Sequence, residues 1–410
     1  LDKNKLERDV MDRKSYKYLI KKFNEYYTDL FENKEFLPPL FSEREWGFIP
    51  MTPQTTGIMW RHLSFRNLEE IKSFFLKHIP LHMYYSSAYY EHPDAKKMDD
   101  KGWKGADLIF DIDMDIKDGT NYRDMLLLAK DEVIKLYDIL KNDFGLNDIL
   151  VVFSGGRGYH IHVRDKSVLG LKSRERREII DYITAGSLRI ESILKKKEII
   201  GGSYGSSKGY YYEMVDSSWG KRVWTSVTDF LDEIRMMNED DAIRKIKELK
   251  VGKRDKFVKD LSRKDALEIY KMLKESNMVE LMRKNGKITT DKFTKNLMER
   301  VVDNELNTIQ LSKINTDEPV TTDIKRLIRL PGSLHGGTSL QAKPVYNIDD
   351  FDPLNDAIVF SDYERKIISK VDTDISMKEN TYKIKKGKNK LPEFVCLFLI
   401  CRGFAYLEED

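Results

Sequence analysis

Between Asp107 and Asp115 the chain alternates apolar and acidic residues with a period of two. Leu108, Phe110, Ile112 and Met114 would face one side of a strand, and Asp107, Asp111, Asp113 and Asp115 the other. Alternate residues on one face of a strand lie about 6 to 7 Å apart, close enough for Asp111 and Asp113 to share metal ions. Carboxylate oxygens are hard ligands that suit magnesium or manganese, and two such ions about 3.5 to 4 Å apart serve nucleotide polymerisation. The alternation alone secures the strand and leaves the metal open, because a solvated acidic face or an edge-strand guard has the same pattern.

Two further clusters narrow the choice. Ile149 to Phe153 and Tyr159 to Val163 read as strands joined by the turn Ser154-Gly155-Gly156-Arg157-Gly158, whose glycines let backbone amides approach phosphate oxygens. Ser154, Arg157 and His160 supply donors there, and His162 falls on the same strand face as His160. Asp317 to Leu340 holds an acid, a basic strand with Arg326 and Arg329, and the PGSLHGG turn from Pro331 to Gly337. Taken alone, that third cluster is an edge strand with a proline turn or an anion-binding loop.

Periodicity elsewhere predicts a helix before the LPPLF break at Leu37 to Phe41. It also predicts strands within Glu43 to Phe65, a helix over Glu69 to His78, and a strand over Tyr84 to Tyr90. Helices follow over Tyr122 to Asn142 and Ser173 to Lys195, with a loop at Gly201 to Gly209. Asp229 to Val302 is helical in pattern and more polar. Strand character resumes near Thr308 and continues through Leu327 to Leu330 and Ala342 to Tyr346, and Pro392 to Arg402 is a closing helix. These readings predict a mixed α/β fold with a catalytic core around a twisted mixed sheet. The core is divided into residues 1–225 and 306–410 by a smaller helical domain over 226–305.

Composition sets limits. No stretch approaches the roughly 18 to 20 apolar residues of a membrane helix, and the N-terminal residues lack a signal-peptide core, so a soluble, cytoplasmic protein is expected. The net charge of +3 is too even to announce a nucleic-acid partner, so any basic surface must be local. Cys396 and Cys401, flanked by apolar residues, read as buried thiols. They are too few for a four-ligand zinc site.

In order and separation, DLIFDIDMD at 107–115, SGGRGYHIHV at 154–163 and DEPVTTDIKRLIRLPGSLHGGTSL at 317–340 resemble the small catalytic subunit of archaeal and eukaryotic DNA primases. REWGF at 44–48, WRHLSF at 60–65 and PEFVCLFLICRG at 392–403 add to the resemblance, which covers most of the chain. It implies a primase that builds short primers on a single-stranded DNA template from NTPs or dNTPs. Asp111, Asp113 and Asp317 would be its catalytic carboxylates on two Mg2+ or Mn2+ ions. Ser154, Arg157, His160, Arg329 and His335 would fall on the phosphates, Glu45 and Arg61 near the nucleotide, and His162 in a supporting or structural place. The implied partner is a large, iron–sulfur primase subunit, since this chain lacks the cysteines for such a cluster. The family commonly has a zinc knuckle after its D-x-D strand. Ile116 to Leu128 contains neither Cys nor His, so no zinc knuckle is expected here. A primase-polymerase of a repair or plasmid system and a non-catalytic nucleic-acid-binding subunit are the competing expectations.

Overall fold

A computed structural model describes residues 12–32, 35–52, 57–114, 121–185, 188–198, 210–249, 261–290, 292–311 and 317–408. Asp115, the rest of the interval to residue 120, and the expected loop at Gly201 to Gly209 lie outside these residues. The chain separates into two compact units, residues 1–180 with 314–410 and residues 181–313.

The helix Arg13–Leu30 begins where the Asp12 carboxylate accepts the amides of Lys14 and Ser15, and it buries Leu19, Phe23 and Tyr27 along one stripe. Phe31, just beyond its end, meets Phe75 of the helix Leu68–Lys77 with ring centroids 6.1 Å apart. Phe74 and Phe75 in turn pack edge-on against Phe48, at 5.4 and 5.1 Å. Phe48 belongs to a four-stranded sheet in the order Leu327–Arg329, Pro80–Ser86, Trp46–Pro50, Trp60–Leu63. Aromatic side chains filling the space between helices and sheet explain why these short strands hold together.

The other four-stranded sheet runs Lys343–Val345, Ile149–Phe153, Gly158–Val163, Leu108–Asp113. The helix Tyr122–Asn142 packs on it, capped by the Asn121 side-chain Oδ1 accepting the Asp124 amide and burying Met125, Ala129, Val133, Leu136 and Leu140. Near the C-terminus, Glu393–Cys401 is apolar on all sides and almost wholly buried against the strands Glu364–Ser369, Gly387–Pro392 and Ala405–Leu407. A hairpin, Thr373–Met377 with Asn380–Ile384, completes this region.

The other unit holds a three-stranded sheet, Lys287–Thr290, Tyr210–Met214, Leu194–Glu198. Helices Ser218–Met236, Glu239–Glu248, Arg263–Glu275, Met278–Asn285 and Lys292–Leu311 accompany it, the first burying Trp219, Val223, Trp224 and Leu231.

Several expectations need correction. The fold is mixed α/β, but among the described residues every strand pairing is antiparallel and the strands are spread over small sheets rather than one mixed sheet. The expected Tyr84 to Tyr90 strand is broken after Ser86, and Ala88–Tyr90 joins a different partner, Trp103–Ala106. The Ser173 helix ends at Ile183, and Leu194 and Lys195 already belong to a strand. The segment at Thr308 continues a helix through Leu311 rather than starting a strand, the apolar positions from Leu297 to Leu306 having a helical period. Among the described residues no helix is long and apolar enough to cross a membrane. Both thiols are free, and burial pushes each up to about 12.

Candidate active site

The acidic strand Leu108–Asp113 pairs with Gly158–Val163 so that Asp111 stands opposite His160 and Asp113 opposite Gly158. Leu108, Ile109, Phe110 and Ile112 are all buried, so the start of the strand has core on both faces and the acidic face opens only at Asp111. Asp107 is not on that open face. It is fully buried, 2.9 Å from the guanidinium of Arg44 and 2.6 Å from the hydroxyl of Tyr89.

Asp317 joins this edge from far along the chain, its amide donating to the Asp111 carbonyl at 2.9 Å. It precedes the helix Glu318–Thr322, whose amides its exposed carboxylate does not cap. Burial and, after it, the charge of Asp317 push the Asp111 carboxyl up from 3.8 to about 6, against the pull of Arg326, Arg329 and Arg157. Asp113 is raised too, by burial and by Asp111, although its Oδ2 accepts from Arg157 Nη2 at 3.0 Å. Crowded carboxylates that resist ionisation are the electrostatic condition a divalent cation relieves, and their hard oxygens match magnesium or manganese. Among the described residues no three His, Cys, Asp or Glu side chains form a ready-made metal cage. The acids are electrostatic neighbours, and the chemistry of their oxygens fits the metal.

The glycine-rich turn is braced from inside. Ser154 Oγ accepts the amides of Gly156 at 3.2 Å and Gly158 at 3.4 Å, which leaves its proton available for an outside acceptor. Gly158 has no space for a side chain, since a Cβ would fall 1.8 Å from the Ile112 carbonyl oxygen. The Thr338 hydroxyl bonds the Gly155 carbonyl and the Tyr122 hydroxyl that of Gly156, tying the turn to the PGSLHGG segment and to a helix. His160 is buried, and burial together with Arg329 lowers it to about 3, so its ring is neutral, with Nε2 3.6 Å from Asp111 Oδ1.

Arg329 is held in place by His82 Nδ1 at 2.7 Å and the Tyr84 hydroxyl at 3.4 Å. His335 accepts the Gly337 amide on Nδ1 at 3.1 Å, so its proton sits on Nε2, the nitrogen lying against Gly156. Burial and Arg329 hold His335 well below its ordinary value. Arg329 thus acts on His160, His335 and Asp111 alike, and the structure gathers Asp111, Asp113, Asp317, Ser154, Arg157, His160, Arg329 and His335 in one region.

Glu45 and Arg61 form a cluster of their own. Glu45 is fully buried, its Oε1 accepting from Arg61 Nε at 3.0 Å and the His62 amide at 3.2 Å, with Lys101 Nζ 3.4 Å from Oε2. Among the described residues neither Glu45 nor Arg61 bonds to the three acids. Sequence reasoning missed Lys101, His82 and the role of Arg44. Lys101 sits in a DDKGWK turn that looks solvated, and no local signal reveals its burial. His82 could have been found, because strand alternation puts it on the same face as Tyr84.

Crowded acids set among Arg and His donors suited to a polyphosphate fit a nucleotidyltransferase. The profile of the DNA primase small subunit family matches residues 110–346, a span containing all three acids and both glycine-rich segments. The chain belongs to the DNA primase small subunit family, in its archaeal branch. It is 39% identical over 403 residues to the DNA primase small subunit PriS of Methanococcoides burtonii, covering 96% of this chain and 99% of that one. With PriS of Methanocella arvoryzae the identity is 36% over 413 residues, 97% of this chain and 100% of the other. PriS of Archaeoglobus fulgidus is 37% identical over 393 residues, 95% of this chain and 97% of its own.

Proposed function

We propose that this primase subunit is the catalytic one, building short primers on single-stranded DNA from NTPs or dNTPs by two-metal nucleotidyl transfer. Asp111, Asp113 and Asp317 would hold the two divalent ions, magnesium or manganese. When bound, the ions supply Lewis acidity to the primer hydroxyl and charge neutralisation to the triphosphate. Arg157 and Arg329 bring fixed positive charge to the phosphates, while Ser154 Oγ and the Nε2–H groups of His160 and His335 donate hydrogen bonds to them. Glu45 and Arg61 would lie near the nucleotide farther out, the partly exposed Arg61 toward it and the buried Glu45, beside Lys101, holding that guanidinium. Neutral histidines suit this work, because a donor that need not titrate acts unchanged across the working pH range.

The observation that carries the reading is the junction of Asp317 with Asp111 beside Asp113, in the company of Arg329 and Arg157. Asp113→Asn tests it: primer synthesis should fall below detection while the thermal midpoint and circular dichroism stay near those of the parent. A folded Asp113→Asn protein that extends primers at near-normal rate sinks the proposal.

The name small subunit carried by the relatives implies a large partner. We read the partner of this chain as an iron–sulfur large subunit that aids initiation, with the pair working in the cytoplasm. No zinc knuckle is part of this proposal, since residues 116–128 offer no Cys or His. In sequence, the helix-rich part is an insertion into the catalytic core, the core being its flanking segments 1–225 and 306–410 and the insertion centred on 226–305.

A further inference from the structure

His162 lies two residues from His160 on the same strand and is fully buried, yet the site described above makes no use of it. Its surroundings have a direction. Asp107 is clamped by Arg44 and Tyr89, with Arg164 Nε 3.7 Å away. Arg164 Nη2 donates to the Tyr85 hydroxyl at 3.5 Å, and that hydroxyl lies 3.1 Å from His162 Nδ1. A guanidinium cannot accept a hydrogen bond, so the Tyr85 proton goes to His162. Nδ1 of His162 is then the acceptor, and the ring's own proton is on Nε2. The groups acting on this ring are Arg164, His160 and Arg44.

The same bookkeeping applied from the other end gives the complementary answer for His160. Its Nε2 lies 3.6 Å from Asp111 Oδ1, and the carboxylate's negative charge favours the proton on that nitrogen, which leaves Nδ1 a bare acceptor. Two buried ring nitrogens therefore remain without a hydrogen-bond partner: His162 Nε2, a donor, and His160 Nδ1, an acceptor. The rings stand edge to face with centroids 6.1 Å apart, and no hydrogen bond joins the two nitrogens, an acceptor and a donor that one water can bridge.

We infer that Tyr85 and His162 are positioning residues that, through a single buried water, fix His160 as its Nε2–H tautomer aimed at Asp111 and the substrate phosphates. Every donor in the series Arg164, Tyr85, His162, water, His160 points toward the catalytic edge, so each bond polarises the next. A histidine that merely filled core volume would leave the His160 tautomer indifferent to Tyr85. The inference rests on the proposed nucleotidyl transfer only for its kinetic consequence, because the tautomer itself can be read without substrate.

The test is nitrogen-15 NMR of histidine-labelled full chain, free of metal and nucleotide, with primer-extension kinetics on the same samples. The parent should show His160 protonated on Nε2. Tyr85→Phe and His162→Leu should populate the Nδ1–H form and lower kcat roughly tenfold or more, the scale on which supporting hydrogen-bond partners act. Template affinity should not change. His162→Gln, whose amide nitrogen can replace the Nε2 donor, should restore both tautomer and rate to within about threefold. An unaltered His160 tautomer in Tyr85→Phe overturns the inference whatever the rate does, and so does an Nδ1–H parent. Loss of activity in the parent with the expected tautomers intact would instead count against the nucleotidyl-transfer reading.

Discussion

A carboxylate that the fold itself discourages from ionising is placed for something other than stability. Asp111 is raised from 3.8 to about 6 by burial and by Asp317. Between those values the folded chain holds a proton that the unfolded chain has released, so stability falls as pH rises through the window, and the full penalty is present above about pH 6. A shift near two units corresponds to about 3 kcal/mol at most. Asp111→Asn should therefore be more stable than the parent by about 1–3 kcal/mol at pH 7.5 in chelator, and equal to it below about pH 4. Urea unfolding at the two pH values measures this. Manganese should raise the parent's midpoint and leave the variant's nearly unmoved. A variant less stable than the parent at pH 7.5 in chelator would show that the acids are not in mutual repulsion.

At the level of elements, close approach governs the site. A Cβ on Gly158 would meet the Ile112 carbonyl oxygen at 1.8 Å and Asp113 Oδ1 at 2.8 Å, so Gly158→Ala must push the acidic strand away from its partner. It should cost about 2–4 kcal/mol and reduce extension more than tenfold. Gly145→Ala, at φ +67° with nothing within 4 Å, should cost only about 1 kcal/mol of backbone strain and leave the rate alone. Equal effects of the two in parallel denaturation and extension assays would refute the steric argument. These elements were legible because long or strict patterns wrote them: Tyr122–Asn142 and Ile149–Phe153 begin and end where periodicity put them. The strands Glu364–Ser369, Thr373–Met377, Asn380–Ile384 and Gly387–Pro392 were not legible. Their inward residues are few, such as Ile367, Met377, Ile384 and Leu391, among exposed lysines. Their hairpin turns on Lys378 and Glu379 at φ 46° and 61°, without the glycine or asparagine that would flag such a turn. For the site, the strand holding Asp111 and Asp113 and the glycine turn were readable from local pattern, whereas Asp317 was singled out only by the family resemblance. Lys101 and the Arg44–Asp107 pair were not, since burial of a charge is decided by distant partners.

The whole molecule depends on how the two ends of its discontinuous unit are tied together. Glu393, on the buried C-terminal helix, accepts the Tyr18 hydroxyl at 2.6 Å and the Ser361 hydroxyl at 2.7 Å, with Lys22 Nζ at 3.2 Å. The Leu407 amide also donates to Ser15 Oγ at 2.8 Å, so the first helix and the last segments share one set of bonds. Burial alone would raise Glu393, but the bonds from Tyr18, Ser361 and Lys22 outweigh it and hold the carboxyl at about 2 rather than 4.5. A depressed carboxyl stabilises the fold above its unfolded value and loses that contribution as pH falls from about 4.5 toward 2. Glu393→Gln should thus cost about 2–3 kcal/mol at pH 7, with the deficit narrowing below about pH 4.5. Because unit 181–313 has its own core around Trp219, Trp224 and Leu231, the loss should stay within the other unit. Hydrogen exchange reads this directly. Amides of Arg13–Leu30 and Glu393–Cys401 should exchange faster in Glu393→Gln, while those of Ser218–Met236 and Arg263–Glu275 keep the parent's protection. Faster exchange in both sets would mean that the chain unfolds as one cooperative body rather than unit by unit.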